Sequence, residues 1–226
     1  MRVILGSDGS IEADIASALA AKPRTEEDWV VHALLNLDAG KTDAAVEDLG
    51  QALVRFPNSL DARQNLAHIY SDVKNQPNLG IEQMDVLIQS DPGNPMRLAG
   101  RAVLLARQGQ IEPALEDLRQ ATAGDPKLPI IQYQIASCYS LIADHQERRG
   151  VNDDRQRAEL DHTRKFAQSW FAKSILHDPQ LIAIIETDAD FVWFRKQPEY
   201  SVIRNAIEVL TKAEQREPSL SENLQE

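Results

Sequence analysis

An all-α fold of stacked helical repeats is what this sequence predicts, and three observations carry the prediction. Prolines recur at Pro23, Pro57, Pro92 and Pro126, separated by 34, 35 and 34 residues. The segments between them are rich in Ala, Leu, Gln, Glu and Arg, residues that lose little freedom in a helix, and no run of alternating β-branched residues interrupts them. One segment is also nearly written twice. AAVEDLGQALVRFP at 44–57 and PALEDLRQATAGDP at 113–126 align Ala45 with Ala114, Asp48 with Asp117, Leu49 with Leu118 and Ala52 with Ala121, at an offset of 69 residues, which is two periods. A fixed period of this size is the mark of a repeat array.

The elements follow in order. Residues 10–22 (SIEADIASALAAK) read as one helix closed by Pro23, with no helix before it. The expectation is a truncated repeat in a fragment or a shortened reading frame, the alternative being an N-terminal cap over residues 1–25. Residues 26–39 place Trp29, Ala33 and Leu37 on one helical face, Gly40 breaks the chain, and residues 42–55 place Ala45, Leu49, Ala52 and Leu53 on another. Small residues such as Ala33 and Ala45 let two helices approach, and neither helix would be stable alone. The pattern returns at 60–94, with one extra residue near Pro77, and at 95–128, where Gly109 is the breaker. A fourth unit, 129–179, is split by a charged insertion of about 19 residues at about 144–163. Its first helix is expected to end near Ala143, and Asn152 or Asp153 to cap a helix running into 164–176. A charged hairpin results, read either as a solvated spacer or as a partner contact. Residues 180–214 read as a helical cap: a short helix, a turn at 187–190, an aromatic helix, and a last helix from Pro198. Residues 215–226 (QREPSLSENLQE) read as a disordered polar tail.

This pattern resembles the tetratricopeptide repeat family, whose 34-residue unit reads W-x2-L-G-x2-Y, then A-x3-F, then P. The first unit has Trp29, His32, Ala33, Asn36, Ala45, Leu49 and Pro57 at those places; the third has Leu98, Arg101, Ala102, Leu105, Ala114, Leu118 and Pro126. His32 and Arg101 depart from the usual Leu. The resemblance spans 26–179 and implies a right-handed α-solenoid of four repeats with a C-terminal helical cap. Asp188, Asp190, Phe194, Arg195, Pro198, Glu199 and Tyr200 resemble the closing segment of arrays in some bacterial proteins, including arrays attached to serine/threonine kinases.

Composition limits the function. The 226 residues are 42% hydrophobic and carry a net charge of −11, which opposes nucleic-acid backbones. The arginines between Arg148 and Arg164 are interleaved with carboxylates and read as a mixed solvated face. No apolar run has the length of a membrane span. MRVILGSDGS turns polar after three apolar residues and is no signal peptide. A single cysteine, Cys138, excludes an internal disulfide, and with these features leads to a cytoplasmic expectation.

Catalytic signatures are missing. There is no G-x-x-x-x-G-K, G-x-G-x-x-G, H-R-D or D-F-G, so kinase chemistry is not expected in this chain. No histidine forms a metal spacing with a second His or Cys, although Asp144–His145 and Asp161–His162 could meet across the hairpin and would then suit zinc. Cys138 has no evident base. No catalytic residue, metal or cofactor is therefore expected.

What remains is surface. In the family the first helix of each repeat lines a groove. The resemblance carries that role to Val30, Leu34, Asp61, Gln64, Asn65, His68 and Ser71, and then to Met96, Ala99, Val103, Arg107, Tyr133, Gln134 and Ser137. Val30, Leu34, Met96 and Gly100 stand where carboxylate-gripping members carry cations or Asn, so that clamp is not expected. The groove reads as neutral and partly apolar. The expected function is non-catalytic binding of a protein or peptide segment, with no nucleic-acid or membrane partner. The alternative is an accessory region of a larger bacterial enzyme such as a serine/threonine kinase. Open solenoid ends can stack, which leaves a homodimer open.

Overall fold

The computed structural model describes residues 8–214, so the expectations for 1–7 and for the 215–226 tail lie outside it. Among the described residues there are helices and no strands. The chain divides into two compact units, one through Ser90 and one from Asp91.

The first unit contains α1 (Asp8–Ala20), α2 (Glu26–Asp38), α3 (Thr42–Arg55), α4 (Leu60–His68) and α5 (Pro77–Ser90). Helix α2 starts on a capping box: Thr25 Oγ1 accepts from the Asp28 amide at 3.1 Å, and Asp28 Oδ2 accepts from the Thr25 amide at 3.0 Å. Two donors that a helix start leaves open are thereby satisfied. Gly40 turns the chain with φ +72°, a conformation side chains disfavour, and α3 folds back on α2. Their shared core is Trp29, Ala33, Ala45, Leu49 and Ala52, joined by Ala62, Leu66 and Ile69 from the next pair. Ala33 and Ala45 have no exposed surface, as close helix approach requires.

The extra residue of the second period has a definite place. Helix α4 runs into a π-helical turn, Ile69–Val73, in which the Lys74 amide donates to the Ile69 carbonyl five residues back. A π-turn absorbs one residue without breaking the helix. Asn75 then takes a left-handed φ of 52° before Pro77 opens α5.

The second unit contains α6 (Pro95–Arg107), α7 (Ile111–Thr122), α8 (Pro129–Arg149), α9 (Asp154–His177), α10 (Leu181–Thr187) and α11 (Pro198–Glu214). The Asn94 side chain caps α6, whose first residue is Pro95. Helix α8 does not stop near Ala143. It continues to Arg149, turns at Gly150 (φ +88°), and α9 begins at once on an Asp153 cap. The inserted residues thus lengthen two paired helices. Their arms are tied by Glu147, which accepts from Arg164 at 2.6 Å and from the Trp193 indole at 2.5 Å. The expected aromatic helix after α10 is instead two 3-10 turns, Ala189–Phe191 and Phe194–Lys196. Phe171 of α9 meets Phe191, Phe194 and Tyr200 at centroid distances of 4.8–6.3 Å, closing this core.

Candidate functional site

The groove positions inferred from the sequence divide between the units, and the two sets meet different fates. In the first unit Leu34, Asp61, Gln64 and His68 are exposed, and Val30, Asn65 and Ser71 are half-buried. Three of their polar bonds are local. Asn65 donates to the Asp61 carbonyl at 2.9 Å, Ser71 to the Ala67 carbonyl at 2.7 Å, and His68 Nδ1 lies 2.8 Å from Asp72. These three bonds stay within α4 and the turn that follows it.

In the second unit the corresponding face is engaged by the protein itself. Arg107 donates a forked pair of bonds to Asp190, Nε at 3.0 Å and Nη2 at 2.9 Å. Ser137 Oγ donates to Asp190 Oδ2 at 2.9 Å, and Ser140 Oγ to the Asp190 carbonyl at 2.8 Å. Tyr133 donates its hydroxyl to Asp188. Burial, then the Asp188 hydrogen bond, push the Tyr133 phenol far above its ordinary range. Asp188 also caps the following turn through the Asp190 amide, and its carbonyl, with that of Ile185, accepts from Arg195. The closing signature read from the sequence is therefore a latch that fills a cradle on α6 and α8. Ala99, Val103 and Ser137 are buried, Met96 and Gln134 half-buried. The sequence names Arg107, Tyr133 and Ser137 as groove positions but does not show that residues more than 50 positions away bond to them.

The two departures from the repeat pattern explain each other. His32 Nδ1 lies 2.7 Å from Asp48 Oδ2, and Arg101 donates to both oxygens of Asp117 at 2.8 and 2.7 Å. Each pair joins the two helices of one repeat across 16 residues, and each member has its counterpart 69 residues away. Where the family's usual residue is Leu, these two repeats place His32 and Arg101, each paired with a carboxylate.

Cys138 is wholly buried; burial first, then the charges of Asp190 and Asp117, push its thiol well above its ordinary value. The hairpin brings His145 and His162 to the lining of one cavity. Among the described residues, however, no group of three or more His, Cys, Asp or Glu could hold a metal, nor is any helix long and apolar enough to cross a membrane.

A protein of paired antiparallel helices repeating every 34 to 35 residues is defined by these features. Its fold is that of the tetratricopeptide repeat proteins, an all-α solenoid class. Solved structures agree. A type IV pilus biogenesis factor, PilW, is 21% identical over 86% of this chain and 90% of its own, with a TM-score of 0.52. A tetratricopeptide repeat protein from Parabacteroides merdae is 16% identical over 92% of this chain and 85% of its own, with a TM-score of 0.51. No family model matches the sequence, and no curated protein matches it.

Proposed function

We propose that this protein is a non-catalytic scaffold that binds an extended segment of another protein along the α2 and α4 faces of its first unit. The supporting observation is the contrast between the two sets of groove positions. Arg107, Tyr133 and Ser137 are spent on the protein's own latch, whereas Leu34, Asp61, Gln64 and His68 are exposed. The open face mixes an exposed leucine with amides and one carboxylate, which suits a neutral segment with a few apolar anchors. A preformed helical surface loses little entropy on binding. A cytoplasmic setting belongs to this reading and rests on the single free thiol, Cys138.

The test compares affinity capture by the wild type and by Leu34→Glu with Asn65→Arg, after circular dichroism has shown that the variant is folded. A partner retained by the wild type and lost by the variant supports the α2–α4 face. Partners retained equally by both remove it.

A further inference from the structure

The α8–α9 hairpin encloses space as well as lengthening two helices. Between its arms and the start of α7 lies a cavity of about 500 Å3, within the range of ligand-binding clefts. We propose that this cavity docks a partner-protein segment carrying an aromatic side chain next to a carboxylate. The proposal rests on the protein-binding reading above and assigns it a second contact.

The floor calls for an aromatic anchor. Ile111 and Leu115 of α7 face Tyr139 of α8 and Phe166 of α9 across the cavity. The Tyr139 and Phe166 rings are stacked, 5.1 Å apart and 15° from parallel. Leu115 is an exposed large hydrophobic, 38% accessible. A ring laid against this stack would bury apolar surface on several sides, as anchor residues at interfaces do.

The rim calls for a carboxylate. Three hairpin arginines are committed: Arg148 to Asp144, Arg155 to Glu159 and Arg164 to Glu147. Arg149 lines the cavity and has no ion-pair partner among the described residues; Arg155 and Glu159 line it as a pair, and Glu112 lines it as well. A planar guanidinium left open beside an apolar cleft is suited to a carboxylate, which it can grip with two hydrogen bonds.

A peptide backbone is indicated by Gln146. Its side-chain oxygen is buried at the cavity lining with no hydrogen-bond donor. Buried acceptors are nearly always satisfied, and a backbone N–H beside the anchor would supply the donor. The wall that holds these groups is pinned by Glu147 to both Arg164 and Trp193, so the pocket is formed before the segment arrives.

The probe is a capped heptapeptide with Phe-Asp at its centre on a Gly/Ser background, titrated into the 15N-labelled full chain and followed by amide chemical shifts. Phe-Asn, Ala-Asp and Ala-Asn versions and free benzoate serve as comparisons. The expected result is a shift cluster on residues 111–115, 139–149 and 163–166, with loss of either the ring or the carboxylate weakening binding about tenfold or more. Arg149→Glu and Leu115→Glu, both at exposed positions and checked for fold by circular dichroism, should abolish the cluster, whereas Arg157→Glu, on the same hairpin but outside the cavity, should preserve it. No cluster at millimolar Phe-Asp peptide overturns the proposal. So does benzoate binding as tightly as the peptide, which would make the ligand a small aromatic acid. Shifts gathering on Leu34 and His68 also overturn the pocket while supporting the first-unit face, so the two readings fail separately.

Discussion

The first and third repeats solve one packing problem with two different basic residues. In the second unit Arg101 grips Asp117, whose side chain is 4% exposed, through two parallel bonds. In the first unit His32 lies against Asp48, 13% exposed, and its other ring nitrogen, Nε2, donates to the Leu19 carbonyl of α1 at 3.0 Å. Asn36 adds a bond to Asp48 at 2.8 Å. The guanidinium stays charged at any physiological pH, whereas the imidazole can donate from both nitrogens only when protonated. Two superposable repeats therefore differ in kind: one interhelical pair is permanent, and the other can be switched off by pH and also ties down α1. A repeat position usually held by Leu thus accepts a basic residue where a carboxylate of the neighbouring helix lies within hydrogen-bond reach.

The largest effect should come from breaking the permanent pair. Arg101→Leu restores the residue usual in the family but strands Asp117, and removing one partner of a buried pair costs about 3–5 kcal/mol. Adding Asp117→Leu should recover most of that loss, because an apolar pair of similar volume replaces a buried ion pair at little or no cost. Urea denaturation of the two variants checks both statements, and a double variant as unstable as the single one would refute them.

A carboxylate outside the repeats comes next. Asp190→Ala removes the acceptor of Arg107 and Ser137, and losing these partly buried charged bonds should cost about 2–3 kcal/mol. Hydrogen exchange should show α10 and the two turns after it losing protection before α6 and α7 do. Uniform loss across the second unit would mean that the latch is inseparable from the repeat core.

The switchable pair should be worth less, since Asp48 is more exposed than Asp117 and Asn36 remains beside it. His32→Leu should cost about 1–2 kcal/mol, read from the shift in unfolding midpoint near pH 6.

The smallest effect is the one that separates the pairs most cleanly. Burial alone would lower the His32 pKa, but the Leu19 carbonyl and the Asp48 carboxylate outweigh it, and the net shift is upward. The folded state therefore holds this proton more tightly than the unfolded chain does. Its stabilising contribution is complete below the ordinary histidine pKa of about 6.5 and is lost as pH rises through the raised folded value. Stability of the first unit should fall across that window in the wild type. His32→Arg should flatten the profile, and Arg101→His should bring a similar slope into the second unit. An unchanged slope in His32→Arg would assign the pH dependence to another group.

Much of the fold was legible in the chain. The proline period, the breakers at Gly40 and Gly109 and the small residues at Ala33, Ala45, Ala102 and Ala114 depend on local helix propensity and on contacts between adjacent helices. Such short-range requirements recur at fixed spacing and leave a pattern. Even the extra residue of the second period could be counted, and His32 and Arg101 stood out as departures. Tertiary structure decided the rest. It paired each departure with its carboxylate, turned the extra residue into the π-helical turn at Ile69–Val73, and lengthened α8 and α9 in place of a break near Ala143. It also gave Arg107, Tyr133 and Ser137 to Asp188 and Asp190. The latch depends on groups that meet in space with no fixed sequence spacing, 50 to 83 residues apart. A buried charge accepts whichever partner the packing brings within hydrogen-bond reach, and only the folded chain determines which partner that is.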